Sequence, residues 1–363
     1  MLPYFDEKWD SPGGLYRSAR ALKREVDDAR RRIAEALHAA PNDVVFTSSG
    51  TESINLAVRG VALGNQHRGR HLITTQVEHR AVLDPARDLQ KQGWRVTVVP
   101  VDADGVVDVE ALLNALDEET ALISVMLANN EVGSLQPVQE IARAAKARFP
   151  QVAIHTDAAA AAGFLSLDIE ELGVDLLSLS AHKIGGPPGA GALWVKRGVL
   201  LSPLLLGGDQ ERGRRAGPEN VPAVIGMAAA VERVLPAWAE RAAAVGALCR
   251  QLMEGLEERV PGTHVTGSRT ARLPQIASFC FEGIDGEALL LQLDVQGIAA
   301  ASGSACASAT LAPSHVLQAM GVAPDLAEGN LRLSLGIENT EDEIERALEL
   351  IPRAVERMRS IRR

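Results

Sequence analysis

An apolar run, Asp175-Leu176-Leu177-Ser178-Leu179, leads directly into Ser180-Ala181-His182-Lys183. An ammonium at the end of a buried strand is costly. A lysine desolvated there gives up its proton readily and becomes an amine nucleophile able to form a Schiff base with an aldehyde. One strand earlier, Val152-Ala153-Ile154-His155-Thr156-Asp157 ends on a carboxylate. Lys183 and Asp157 at the carboxyl edge of one parallel sheet form the pair that pyridoxal 5'-phosphate (PLP) requires. The amine holds the aldehyde, and the acid keeps the pyridine nitrogen protonated so that the ring serves as an electron sink.

Other residues suit the same cofactor. Phe46-Thr47-Ser48-Ser49-Gly50-Thr51-Glu52-Ser53 joins a strand to a helix through hydroxyls and a glycine. Free backbone N–H groups and the helix dipole make such a junction an anion cup, although in isolation it reads as a Ser/Thr helix cap. Ser180 and His182, flanking the lysine, could complete the cup around a phosphate. His79, in Glu78-His79, follows the strand His71–Gln76 and can lie over a pyridine ring and exchange protons near neutral pH. Capping is its simpler role. Asn130, in Asn129-Asn130-Glu131, follows a strand ending at Leu127, and its amide suits the cofactor's ring oxygen; a turn is the plainer reading. Cys306 sits among small residues in Gly303-Ser304-Ala305-Cys306-Ala307-Ser308, which predicts an accessible thiol, whereas Ser278-Phe279-Cys280-Phe281 reads as core. Arg332, in Asn330-Leu331-Arg332-Leu333-Ser334, is a cation on an apolar strand, with a fork suited to a carboxylate or to a structural ion pair.

These residues need a frame, and the periodicity supplies one. Short apolar strands are predicted at Asp43–Thr47, His71–Gln76, Arg95–Val101, Ala121–Leu127, Val152–Asp157, Asp175–Ser180 and Ala190–Val195. Helices are predicted at Ser18–His38, Thr51–Leu63, Ala81–Gln92, Val109–Leu116 and Val138–Arg148. The alternation implies an α/β fold with a mostly parallel seven-stranded sheet covered on both faces, and ligands in such sheets sit beyond the carboxyl ends of the strands. The pattern changes at Leu235-Pro236, which predicts a large domain over 1–236 and a smaller α+β domain over 237–363. The smaller one holds a helix at Ala239–Leu256, strands near Ile276–Phe281 and Ile298–Ala301, and a last helix from Thr340 with Thr340 and Glu343 as capping box.

At 363 residues with 46% hydrophobic and 23% charged content, the chain is an ordinary globular protein able to bury a large core. A net charge of −10 disfavours a general nucleic-acid or membrane-surface binder. No apolar stretch approaches a membrane span, and the first residues lack a signal-peptide pattern, so cytoplasmic residence is the default. The three cysteines, Cys249, Cys280 and Cys306, are too few and too scattered for a disulfide framework or a zinc site, and no metal is expected.

Taken together the segments resemble the cysteine desulfurases, PLP enzymes of fold type I related to the class V aminotransferases. The resemblance spans nearly the whole chain. It rests on Thr51-Glu52-Ser53, Glu78-His79-Arg80-Ala81-Val82-Leu83-Asp84, Asn129-Asn130-Glu131-Val132-Gly133, Ser180-Ala181-His182-Lys183, Gln210-Glu211-Arg212-Gly213-Arg214-Arg215-Ala216-Gly217 and Gly303-Ser304-Ala305-Cys306. The stretch from Cys306 to Leu317 looks like the long-loop group that feeds iron–sulfur assembly and tRNA thiolation. The resemblance implies that Lys183 carries the cofactor and moves the substrate's protons. It gives Asp157 the pyridine nitrogen, His79 the ring face, Gly50, Thr51, Ser180 and His182 the phosphate, and Asn130 the orientation of cofactor or substrate. Arg332 is implied to bind the carboxylate of L-cysteine, and Cys306 to accept sulfur as a persulfide while L-alanine leaves. It further implies a homodimer, with Gly207–Asn220 crossing to the partner's site, and a sulfur-acceptor protein. Two positions depart from the family: Ala160 where it has Gln, and Pro218 where it has Thr. A selenocysteine lyase, a class V aminotransferase and a weakened homologue acting as a binding subunit are the alternatives.

Overall fold

In the computed structural model of the chain, residues 1–303 and 314–362 are described. Seven strands form one sheet: β1 (Val44–Thr47), β2 (His71–Thr75), β3 (Arg95–Val99), β4 (Thr120–Ser124), β5 (Ala153–Asp157), β6 (Leu176–Ser180) and β7 (Gly191–Val195). Their order is β1-β7-β6-β5-β4-β2-β3. Parallel pairs link β3, β2, β4, β5 and β6 in turn. Only β7 runs against the rest, antiparallel to both β6 and β1. The carboxyl ends of all the other strands therefore share one edge.

The interior strands β2, β4, β5, β6 and β7 are buried along their whole length, whereas β3, at the margin, is partly exposed. This is what a sheet covered on both faces demands, because neither alternate set of side chains meets water. One face packs Val45, Leu72, Leu122, Leu176 and Leu193 against Ile54, Val58 and Val61 of the helix Gly50–Asn65 and Val82 and Leu89 of the helix Arg80–Lys91. The helix Arg17–Ala36 lies against the helix Val221–Val234, which the sequence analysis did not predict.

The chain divides into two compact units. The first holds residues 1–99, 109–127 and 137–238; the second holds residues 100–108, 128–136 and 239–363. A contiguous division near Pro236 misses the two short segments. Hydrogen bonding explains their place: Leu135 donates to the carbonyl of Ala271, Leu273 donates to Gly133, and Gln136 bonds the backbone of Gly105 and Val107.

In the second unit β8 (Thr263–Val265), β9 (Ile276–Phe281) and β10 (Asn330–Ser334) form an antiparallel sheet in the order β10-β9-β8, with Phe279 and Phe281 stacked at 5.8 Å in its core. The strand expected at Ile298–Ala301 shrinks to a single bridge between Ala301 and Arg332. Residues 296–298 are used instead to end the helix Gly286–Val295, where Gly297 takes φ +81° and Ile298 donates to Leu293. The expected capping box is present: Glu343 N donates to Thr340 Oγ1 and Thr340 N to Glu343 Oε2, opening the helix Glu341–Arg362.

Candidate active site

Within the first unit, the shared strand edge collects most of the chemistry expected there. Asp157 ends β5, Ser180 ends β6, and Glu78-His79 follows β2. The ends are laced together. Leu127 N donates to the Asp157 carbonyl, Glu78 Oε1 accepts from Met126 N at 2.7 Å, and Thr75 Oγ1 donates to the same oxygen at 3.1 Å. Burial pushes the Asp157 carboxyl above its usual range. An N–H from Ala159 and the electrostatic influence of His79 and Lys183 pull the other way. A buried acid, 8% exposed and within the field of His79 and Lys183, is a ready partner for a heterocyclic N–H. Burial also pushes Glu78 up to about 8, and Asp157's charge adds to the rise.

His79 is the N-cap of the helix Arg80–Lys91, its Nδ1 accepting from Ala81 N at 3.0 Å. Capping and chemistry coincide, because this bond fixes the ring and leaves Nε2 to carry the proton. Lys183 corrects the expectation of a desolvated strand end. It lies on the 3-10 turn Ala181–Ile184, which Gly185 closes at φ +76°, and its side chain is exposed.

The anion cup is built by two chain segments. Ser49 caps the helix Gly50–Asn65 by accepting from Glu52 N. The N–H groups of Gly50 and Thr51 have no acceptor among the described residues. Gly50 allows a close approach to β6: a Cβ there would lie 3.0 Å from Ser180 Cβ and 3.3 Å from its Oγ, so Ser180 would have to give way by a few tenths of an ångström. Gly191 allows the same approach from β7, since its Cβ would meet the Ser49 backbone at 2.5 Å. Ser180 Oγ bonds His182 Nδ1 at 2.9 Å, and burial, helped by Lys183's charge, lowers the His182 pKa. Paired N–H groups beside two hydroxyls in a cradle kept open by small residues fit a phosphate.

Asn130 and Arg332 belong to the second unit, where they touch. Arg332 Nη1 donates to the Asn130 carbonyl at 3.0 Å, and the Arg332 and Ala301 backbones exchange hydrogen bonds. Arg332 Nε is buried and has no partner among the described residues. Burial lowers the pKa of this guanidinium, with Glu131's charge opposing, so its remaining donors suit an incoming carboxylate. Cys306 lies outside the described residues. Cys249 and Cys280 are buried, and burial raises both thiols to about 11, which leaves them poor thiolates.

Several polar groups escaped the sequence analysis. His155 bridges Ser124 and Ser178 at 2.8 and 2.9 Å beneath Asp157 on the same strand face. Arg30 and Glu211 form a buried bidentate pair. Arg215 pairs with Glu52 at the mouth of the anion cup. Helical spacing hid the first pair, since Arg30 sits in a run of arginines that reads as a solvated face.

Comparison with known proteins accords with this geometry. The family described as Aminotransferase class-V matches residues 5–347. Cysteine desulfurase IscS of Clostridium botulinum is 44% identical over 363 residues, covering 99% of this chain and 91% of the relative. Its counterpart in Methanosarcina thermophila is 45% identical over 361 residues, covering 99% and 89%. Among solved structures, a NifS-like protein superposes with a TM-score of 0.92 at 37% identity, covering 98% of this chain and 94% of that one. SspA in complex with cysteine gives 0.81 at 30%, covering 93% and 94%. The chain belongs to the cysteine desulfurases of the class-V aminotransferase family, enzymes that depend on PLP.

Proposed function

We propose that this protein converts L-cysteine to L-alanine and passes the sulfur to its own Cys306 as a persulfide, for delivery to an acceptor protein in iron–sulfur, thio-cofactor or tRNA sulfur chemistry. The observation that carries the reading is the buried Asp157 at the end of β5, within the field of both His79 and Lys183 at one sheet edge.

When bound, PLP supplies an electron sink for the bonds at the substrate's α-carbon. Gly50, Thr51, Ser180 and His182 hold its phosphate, Asp157 meets the ring nitrogen, and His79, fixed by Ala81 N, covers the ring. Lys183, exposed on its turn, holds the cofactor through Nζ and moves protons to and from the substrate carbon. Arg332 grips the substrate carboxylate, and Asn130, whose carbonyl holds Arg332, orients the substrate. The Cys306 thiolate forms a bond to the substrate sulfur as the carbon–sulfur bond breaks. The three-carbon remainder then takes a proton and leaves as L-alanine. A homodimer in the cytoplasm is part of the proposal. No single helix among the described residues is long and apolar enough to cross a membrane.

The test is Cys306→Ser. Serine preserves the side-chain size but not the soft nucleophile, so the variant should bind PLP and L-cysteine normally, as followed by absorbance, and form no protein persulfide. A persulfide found by mass spectrometry on Cys249 or Cys280 would move the role elsewhere.

A further inference from the structure

Glu52 is an anomaly at the anion cup. It stands in the first turn of the helix Gly50–Asn65, one residue beyond the N–H groups of Gly50 and Thr51. Burial works against its charge, but hydrogen bonds from Arg215 and Ser48 outweigh that cost and keep its pKa below the usual value. The cup therefore contains a fixed negative charge beside the place where a phosphate is to be held. Left uncompensated, that charge repels the phosphate through a partly desolvated medium.

Compensation arrives from far along the chain. Arg215 Nε donates to Glu52 Oε1 at 2.9 Å, with about a fifth of each side chain exposed (20% and 21%). The other carboxylate oxygen accepts from Ser48 N at 2.7 Å and Ser48 Oγ at 2.5 Å. Arg215 is itself positioned. Gly217 N closes onto Gln210 Oε1, and Glu211 is clasped by Arg30 through two bonds of 2.6 Å while accepting from Phe46 N on β1. Glu211 and Arg212 both take left-handed backbone, with φ of +49° and +58°. Non-glycine residues adopt that conformation only when their surroundings impose it. The segment 210–217 is thus tied to the strand–helix junction at both ends.

We infer that Arg215 and Glu52 form a positioning pair that sets the cup's affinity for the cofactor's phosphate: Glu52 braces the Ser48 turn, and Arg215 cancels its charge so that a phosphate is accepted. The inference rests on the phosphate reading of the cup.

Apo-protein titrated separately with PLP and with pyridoxal, which lacks the phosphate, distinguishes the two ideas. Wild-type protein should strongly prefer PLP. Arg215→Gln should weaken PLP about tenfold with pyridoxal unchanged, because an unmasked carboxylate acts on the phosphate alone. Arg215→Lys should keep the preference. Glu52→Gln can still accept from Ser48, so adding it to Arg215→Gln should restore PLP affinity to within about twofold of wild type. The inference fails if Arg215→Gln weakens both ligands alike, which marks a merely structural role. It also fails if the double variant stays as weak as the single one. Equal affinity of the wild type for the two ligands overturns the phosphate cup itself.

Discussion

Lys183 reaches its place through a turn and not through the strand that precedes it. The turn Ala181–Ile184, closed by Gly185, leaves the side chain exposed next to His182 while Ser180 stays buried at the end of β6. Replacing this lysine tests the assignment without disturbing the core. Lys183→Ala should fold as wild type, lose PLP on gel filtration and lose turnover by about a hundred- to ten-thousandfold, the usual worth of a proton-transfer residue. A variant that retains both the cofactor's absorbance and alanine formation would remove Lys183 from the mechanism. The positions of Asp157 and Ser180 at strand ends, and of His79, Gly50, Thr51 and His182 just beyond strands, were legible from sequence because the apolar run of each strand is plain. Arg215 and Glu52 were not. Their partnership spans 163 residues, and no local pattern encodes a contact at that separation.

At the scale of elements, the clasp of Glu211 by Arg30 joins residues 181 positions apart. Arg30 leaves the helix Arg17–Ala36, stacks 4.4 Å over the Phe46 ring and donates also to the Val44 carbonyl at 2.8 Å. Its side chain is 7% exposed and that of Glu211 only 1%. Breaking one side of such a pair strands a buried charge, so Arg30→Met should cost about 3–5 kcal/mol in urea unfolding. Adding Glu211→Gln should recover much of that loss. Equal midpoints for wild type and Arg30→Met would show that the pair bears no load. All seven strands of the large sheet were visible in the apolar pattern, and so was the capping box at Thr340. The direction of β7 was not, because an apolar run carries no direction; the connection decides it, and the short stretch from Ser180 to Gly191 holds only the 3-10 turn Ala181–Ile184, without the crossover helix a parallel neighbour needs. Nor was the strand expected at Ile298–Ala301 real, since an apolar run beside Gly297 serves equally well to finish a helix.

For the whole molecule, buried titratable groups shape the response to pH. His155 is held neutral by burial with its pKa lowered from 6.5 to about 3, and His71 likewise to about 4. Below pH 6.5 the unfolded chain binds protons at these sites that the folded chain refuses, so stability falls as the pH drops toward 4. Glu78 acts in the opposite sense. Its pKa is raised from 4.5 to about 8, so between these values the folded chain keeps a proton that the unfolded chain releases, and stability declines as pH rises. The apo-protein should therefore lose stability on both sides of a maximum near the middle of this range. Glu78→Gln should flatten the alkaline limb in urea titrations at pH 6, 7 and 8. An unchanged alkaline slope in the variant would show that other groups set it.

Segments 100–108 and 128–136 join the second unit by hydrogen bonds that leave no local trace in the sequence. The second of these carries Asn130, beside Arg332.

The central claim is the fate of the substrate's sulfur and carbon, and product analysis addresses it directly. The purified protein is incubated with L-cysteine and a thiol reductant, with and without added PLP, and L-alanine and sulfide are quantified together. The account predicts alanine and sulfide in equal amounts, both dependent on PLP. Consumption of cysteine without alanine, or the formation of a keto acid in place of alanine, would contradict it.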